Sequence, residues 1–124
     1  MLTAFLVALS LVNAAPATKT VTSADAGKTI TIAKHQKLQI ELSECGGCGY
    51  RWKTTRKPSA KVLTRGTPRT KDPTCQEPQC VGGSYTRVFP YRGRATGRTK
   101  IRLEYFGPGK PDSSEAFGIT VRVR

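Results

Sequence analysis

Four cysteines are the residues of this sequence whose type and spacing most clearly predict chemistry. Cys45 and Cys48 form a Cys-x2-Cys pair, and Cys75 and Cys80 form a Cys-x4-Cys pair. Two such pairs can bind zinc as thiolates, act as redox couples or form disulfides. A thioredoxin-type couple opens a helix, whereas the first pair here ends a strand pattern. The choice between zinc and disulfides depends on the compartment, because an oxidising compartment removes the thiolates that a metal requires.

The N-terminal segment is typical of a signal peptide. Residues 1–15 contain no charged side chain, and the apolar run at residues 2–12 is too short to span a bilayer. Small residues at positions 14–17 offer cleavage sites, which leaves residues 18–124 as one secreted domain. No other segment is long and apolar enough for a membrane helix, so we expect no membrane association after cleavage. Export favours disulfides over zinc, and we expect no metal or other cofactor.

Other catalytic groups are scarce. His35 is the only histidine and lies between Lys34 and Gln36 in a predicted turn, with no acid or nucleophile near it in the sequence. The acidic residues are few and scattered, and no glycine-rich phosphate loop precedes a helix. We therefore expect a protein that is not an enzyme.

The charge is strongly positive. Lys and Arg number 21 against 8 Asp and Glu, which gives a formal charge of +13 and a pI near 10.1. Such a chain is attracted to acidic surfaces, so weak polyanion binding is expected. Specific nucleic-acid binding is disfavoured, because the aromatic residues mostly occupy the same inward-facing strand positions as the apolar residues. They do not alternate with the cations on one exposed face, where they could stack on bases.

The elements that must position these residues are strands. Short runs alternate apolar and polar residues and are separated by Gly, Pro, Ser and Asp clusters, and no window has helical periodicity. About seven short strands of this kind predict an all-β sandwich of immunoglobulin-like type, with the cations facing water and a long loop at residues 64–79. The predicted strands lie near residues 30–32, 38–42, 50–53, 60–65, 84–89, 100–105 and 117–123.

Three Gly-bearing or Pro-bearing loops occur in an order that resembles the chagasin-type inhibitors of papain-like cysteine peptidases. The resemblance covers roughly residues 30–123 and implies an immunoglobulin-like sandwich that occludes an active-site cleft reversibly with three loops at one end. In the family the three loops have the sequences Asn-Pro-Thr-Thr-Gly-Tyr, Gly-x-Gly-Gly and Arg-Pro-Trp. In this chain the loops are altered: the first retains Gly-Tyr-x-Trp, and the third retains only the proline. The implied peptidase-binding residues are Cys45, Gly46, Gly47, Cys48, Gly49, Tyr50 and Trp52 in the first loop, Cys80, Val81, Gly82 and Gly83 in the second, and Gly107, Pro108 and Gly109 in the third.

The resemblance also bears on the disulfides. Four cysteines permit three connectivities. In an immunoglobulin-like sheet the strand at residues 38–42 neighbours the strand at residues 84–89, which favours Cys45 with Cys80 and leaves Cys48 with Cys75. The competing pattern closes two local rings, Cys45 with Cys48 and Cys75 with Cys80. A monomeric inhibitor is the first functional hypothesis, a cationic sandwich that binds another protein or an acidic glycan the second, and a thiol-redox or metal protein the third.

Overall fold

The computed structural model describes residues 16–71 and 84–124. The expected signal peptide at residues 1–15, Cys75 and the second predicted loop at residues 80–83 lie outside the described residues. The signal peptide and the second binding loop therefore stay predictions. In chain order the strands of the described residues are β1 (Lys19–Val21), β2 (Thr29–Ile32), β3 (Lys37–Glu44), β4 (Arg51–Arg56), β5 (Leu63–Arg65), β6 (Arg69–Lys71), β7 (Tyr85–Gly93), β8 (Gly97–Phe106) and β9 (Glu115–Val123).

The strands form two sheets. The first has the order β1-β3-β7-β5, with β6 also paired to β7, and the second has the order β2-β9-β8-β4. β3 and β7 are antiparallel neighbours, as are β8 and β4, whereas β1 and β2 pair in parallel with β3 and β9. This arrangement confirms the predicted all-β sandwich.

Alternation along the strands builds one core between the sheets. Leu38, Ile40 and Leu42 of β3 are at most 2% exposed, whereas their neighbours in sequence face outward. Ile101 and Leu103 of β8 are buried in the same way from the second sheet. Apart from Val88, the buried apolar side chains of the described residues form one cluster, which holds the loops at each end on a rigid base.

All seven predicted strands are present, and two further short strands were not predicted. β1 buries only Val21, and β6 buries none of its residues. Both strands are held by backbone pairing, β1 with β3 and β6 with β7. Neither has the alternation of apolar and polar residues by which a strand is predicted from sequence. The prediction of an uninterrupted loop at residues 64–79 was therefore wrong over β6.

Helical structure in the described residues is limited to short 3₁₀ turns at Ser23–Asp25 and Gly46–Cys48. Within residues 16–71 and 84–124, no helix is long and apolar enough to cross a membrane. His35 lies in the turn between β2 and β3 with a positive φ of 70°, exposed as predicted.

Candidate functional site

The first and third predicted loops meet at one end of the sandwich. The first loop, residues 45–50, joins β3 to β4, and the third loop, residues 107–114, joins β8 to β9. Arg51 of β4 pairs with Phe106 of β8, so the end of the first loop lies beside the start of the third. The two loops therefore present one continuous surface.

A disulfide closes the first loop. Cys45 and Cys48 are bonded, with their Cα atoms 5.2 Å apart. Between them the chain makes one 3₁₀ turn, in which the amide of Cys48 donates to the carbonyl of Cys45 over 3.1 Å. The amide of Tyr50 donates to the same carbonyl over 3.1 Å. The bond and the two hydrogen bonds fix the backbone at the tip of the loop.

The predicted pairing of Cys45 with Cys80 and of Cys48 with Cys75 was therefore wrong. The underlying neighbour relation of β3 and β7 is confirmed, but Glu44 pairs with Tyr85 in the register. This is the last pair of the register, and Tyr85 lies five residues after Cys80 in the sequence. The tight turn instead brings Cys48 to Cys45, and a local ring forms.

Stacked aromatic rings support the first loop from below. The ring centroids of Tyr50 and Tyr105 are 5.0 Å apart, and those of Trp52 and Tyr105 are 4.7 Å apart. The amide of Cys45 donates to the Tyr105 hydroxyl over 2.7 Å, and the Trp52 indole donates to the Ser43 carbonyl over 2.8 Å. Trp52 is 9% exposed, so it supports the loop from within and presents little surface to a partner.

Two glycines let the first and third loops pack closely. Gly49 has a φ of 86°, and a Cβ there would lie 3.3 Å from the ring of Pro108. A Cβ at Gly107 would lie 2.9 Å from the ring of Tyr50. A side chain at Gly107 would force the tyrosine ring or the backbone to move, and one at Gly49 would also strain the backbone. Sequence patterning singled out all four residues but not their mutual contacts.

The tip of this end is exposed and nearly free of side chains. Gly47, Cys48 and Gly49 of the first loop and Pro108 and Gly109 of the third are exposed, whereas Gly46 is half-buried. The Arg51 guanidinium donates to the carbonyl of Tyr50 over 2.8 Å at the side of the loop. Residues 47–49 and 108–109 present backbone, a disulfide and one proline ring on an aromatic base, and the exposed side chains of Lys110, Pro111 and Asp112 follow in the third loop.

Sequence analysis missed a buried carboxylate beneath this tip. Glu44 is 1% exposed, and its Oε2 accepts from the Tyr85 hydroxyl over 3.5 Å. Among the described residues, its Oε1 has no hydrogen-bond partner. The backbone of Gly46 lies against the Tyr85 ring. A Cβ at Gly46 would lie only 2.7 Å from a carbon of that ring, so no side chain fits there. The alternation of β3 could have revealed this buried acid, since Glu44 continues the inward-facing series of Leu38, Ile40 and Leu42.

The far end of the third loop is tied to β8. The Ser113 hydroxyl donates to Glu104 Oε1 over 2.8 Å, and the Ser114 amide donates to the Tyr105 carbonyl over 2.8 Å. Hydrogen bonds from the Thr55 and Ser113 side chains, with Arg102 nearby, hold the pKa of Glu104 below its ordinary value. The carboxylate is thus charged at neutral pH and anchors the loop.

The described residues hold no group of three or more His, Cys, Asp or Glu side chains that could bind a metal. What the loops offer is a shaped, rigid surface. The sequence profile described as Chagasin family peptidase inhibitor I42 matches residues 31–122, which is most of the chain.

The chain belongs to the chagasin family of peptidase inhibitors. Membership places it among inhibitors rather than enzymes, as the sequence predicted. No curated protein sequence matches the chain significantly.

Solved structures share the chagasin-type fold. The cysteine protease inhibitor EhICP2 from Entamoeba histolytica aligns with a TM-score of 0.72 at 20% identity, over 87% of this chain and 96% of its own. The solution structure of Amebosin aligns with a TM-score of 0.70 at 26% identity, over 89% and 100% of the two chains. PbICP-C, solved in complex with falcipain-2, aligns with a TM-score of 0.60 at 21% identity, over 90% and 95%.

Against the chagasin-family pattern, this chain has a disulfide-closed turn where the first family loop carries Asn, Pro and two Thr residues. Gly49, Tyr50 and Trp52 are retained, and the structure uses them for loop packing and support. The third loop lacks the family Arg and Trp, and its Pro108 packs against the first loop. The departures therefore change the presented side chains and keep the rigid base.

Proposed function

We propose that this chagasin-family protein inhibits papain-like cysteine peptidases reversibly, with the first and third loops inserted into the active-site cleft. The observation that carries the proposal is the fixed, side-chain-poor tip formed by these two loops. Two structural neighbours support it, since EhICP2 is a cysteine protease inhibitor and PbICP-C was solved in complex with falcipain-2.

The geometry suits a wedge that is not cleaved. Exposed Gly47 and Gly49 bring backbone to the surface, so a narrow cleft meets no side chain at these positions. The disulfide and the aromatic stack order the loop before binding, which reduces the entropy that is lost on association. The described part of the site offers no nucleophile or general base, so inhibition rests on occlusion alone.

The test is a steady-state inhibition assay with oxidised protein and pre-activated papain-like peptidase. Reductant must be removed beforehand, because it would open the disulfide between Cys45 and Cys48. We expect inhibition that is lost on dilution, with intact inhibitor recovered afterwards. Shortening the first loop should weaken inhibition more than replacing residues 107–109, and His35→Ala at the opposite end serves as a control. Full activity of several such peptidases at micromolar protein would refute the proposal.

The apolar leader at residues 1–15 supports secretion as part of this proposal. N-terminal sequencing of protein from the culture medium should show a start between residues 15 and 18, and retention of Met1 on secreted protein would exclude cleavage. We also propose that the inhibitor is a monomer, which size-exclusion chromatography with light scattering tests directly.

The high positive charge supports a second proposed property, a weak and salt-dependent attraction to acidic polymers. This attraction requires no loop and is compatible with inhibition. A protein that bound such polymers and inhibited no peptidase would instead be a cationic binding module.

A further inference from the structure

The outer face of the second sheet carries a groove lined by cations. Two adjoining cavities of about 280 and 590 Å³ share Arg56, Lys100 and Thr120 in their walls. Together the cavities are lined by Arg56, Lys57, Arg98, Lys100 and Arg102, and by no carboxylate. We call this feature the cationic groove.

Strand register produces the groove. Arg98, Lys100 and Arg102 alternate with inward residues of β8, so their side chains stand in a row about 7 Å apart. Gly118 of β9 lies opposite Arg102 and contributes no side chain, which leaves the floor open. β4 supplies Arg56 from the other side.

The charges in and beside the groove repel one another. The register places Arg56 opposite Arg102 and Arg98 opposite Arg122. Like charges at directly opposed positions destabilise a sheet. Such an arrangement is unfavourable for the isolated fold and favourable once an anion binds.

Within residues 16–71 and 84–124, acidic side chains neutralise only one of the five groove cations. Arg102 contacts Glu104 over 3.3 Å, and it is the one groove cation that forms an ion pair within the described residues. The two other ion pairs found there, Lys28 with Asp25 and Lys71 with Glu41, lie elsewhere. The remaining four groove cations are exposed and available to a ligand.

We infer that the cationic groove binds a sulfated polysaccharide chain. A row of cations at regular spacing complements a polymer with repeated sulfate groups, and hydroxyls of Thr29, Ser59 and Thr120 line the same walls for hydrogen bonds to sugar. The groove lining contains no aromatic ring on which nucleic-acid bases would stack. The inference gives the proposed polyanion attraction a specific site and does not depend on peptidase inhibition.

The opposite sheet provides a charge-matched control. Lys37, Arg65 and Arg69 are exposed cations around a cavity of about 410 Å³ whose walls also include Leu38 and Tyr91. The groove variant is Arg56→Gln/Arg98→Gln/Lys100→Gln, and the control variant is Lys37→Gln/Arg65→Gln/Arg69→Gln. Each removes three positive charges, so a pure net-charge effect weakens both equally.

Gly118→Leu supplies a second variant that leaves the charge unchanged. A Cβ at this position would lie 3.6 Å from its nearest neighbour, the Ile101 carbonyl oxygen, which is an ordinary contact. The leucine side chain would then fill the floor of the groove.

The experiment measures binding of heparin, desulfated heparin and duplex DNA to the oxidised protein by calorimetry at physiological salt, with circular dichroism and peptidase inhibition as checks of folding. We expect the groove variant to bind heparin about 10- to 100-fold more weakly, the control within about 3-fold of the parent, and Gly118→Leu to lose affinity without losing charge. Desulfated heparin, which keeps only its carboxylates, should bind much more weakly than heparin. Equal losses in the groove and control variants, unchanged binding by Gly118→Leu, or tighter binding of DNA than of heparin would each overturn the inference.

Discussion

At the scale of single residues, the disulfide between Cys45 and Cys48 closes the first loop into a small ring. A ring of four residues removes little of the unfolded chain's freedom, roughly 2 kcal/mol by chain entropy. Its larger effect is on the loop, since the Cys45 carbonyl accepts from the amides of both Cys48 and Tyr50.

We expect the double variant Cys45→Ser/Cys48→Ser to fold, to lose about 2 kcal/mol or less in urea unfolding, and to inhibit about tenfold more weakly. The weaker inhibition follows because the loop must then be ordered on binding. Inhibition constants of the oxidised parent and the variant, measured side by side, check this. Equal constants would show that the ring does not organise the loop for binding.

Glu44 is a second residue with a testable role. It is 1% exposed and has one unpartnered carboxylate oxygen among the described residues, an arrangement that carries a desolvation penalty. Glu44→Gln keeps the shape and an oxygen for the Tyr85 hydroxyl, so we expect a gain of about 1 kcal/mol in the free energy of unfolding. A loss of similar size in thermal or urea unfolding would contradict this interpretation.

The residue scale also shows what sequence patterning can and cannot predict. Gly49, Tyr50 and Pro108 were identified through the resemblance to the chagasin-type loops, since they are residues that the altered loops retain. The disulfide partner of Cys45 was not, because it depends on a one-turn backbone geometry and on a register that ends with Glu44 opposite Tyr85. Glu44 follows Leu38, Ile40 and Leu42 at the same two-residue spacing, which places it on the inward face. A single acidic residue at that position nevertheless suggests that the strand has ended.

At the scale of elements, the first and third loops act as one unit. Their contact runs through Gly107 against the Tyr50 ring and Gly49 against Pro108. The ring of Tyr50 in turn stacks on Tyr105 of β8, so displacement of one loop is transmitted to the support of the other.

Gly107→Ala tests this coupling with a single methyl group. The new Cβ would lie 2.9 Å from the Tyr50 ring, so the ring or the loop must shift, and we expect weaker inhibition with little change in stability. Gly118→Ala on the outer face of β9 is the matched control, since its Cβ meets only an ordinary contact at 3.6 Å. If both variants inhibit like the parent, the two loops do not act as a unit.

Strands were predicted where apolar and polar residues alternate clearly, and were missed where this alternation is absent. β3 and β9 each place at least three buried apolar residues in alternation, β8 places two, and all three strands were predicted. β6 buries nothing and is specified by pairing with β7, which no local pattern reveals. The fold was therefore predictable from the core outward, and the errors lie where backbone pairing alone decides.

At the scale of the whole molecule, charge governs the encounter with a partner. With a formal charge of +13, the protein should associate with an acidic peptidase faster at low ionic strength. Stopped-flow association rates over a salt series measure this, with dissociation rates expected to change far less. An association rate that does not depend on salt would rule out steering.

If the loop end of the sandwich covers the catalytic cleft, the bound inhibitor must block access to the catalytic cysteine of a papain-like peptidase. The rate at which a small active-site alkylating probe labels that cysteine, with and without the oxidised inhibitor, tests this. We expect protection that saturates with inhibitor concentration, is weakened by Cys45→Ser/Cys48→Ser and is unchanged by His35→Ala at the opposite end. Labelling at the same rate with and without bound protein would show that the loops do not cover the cleft.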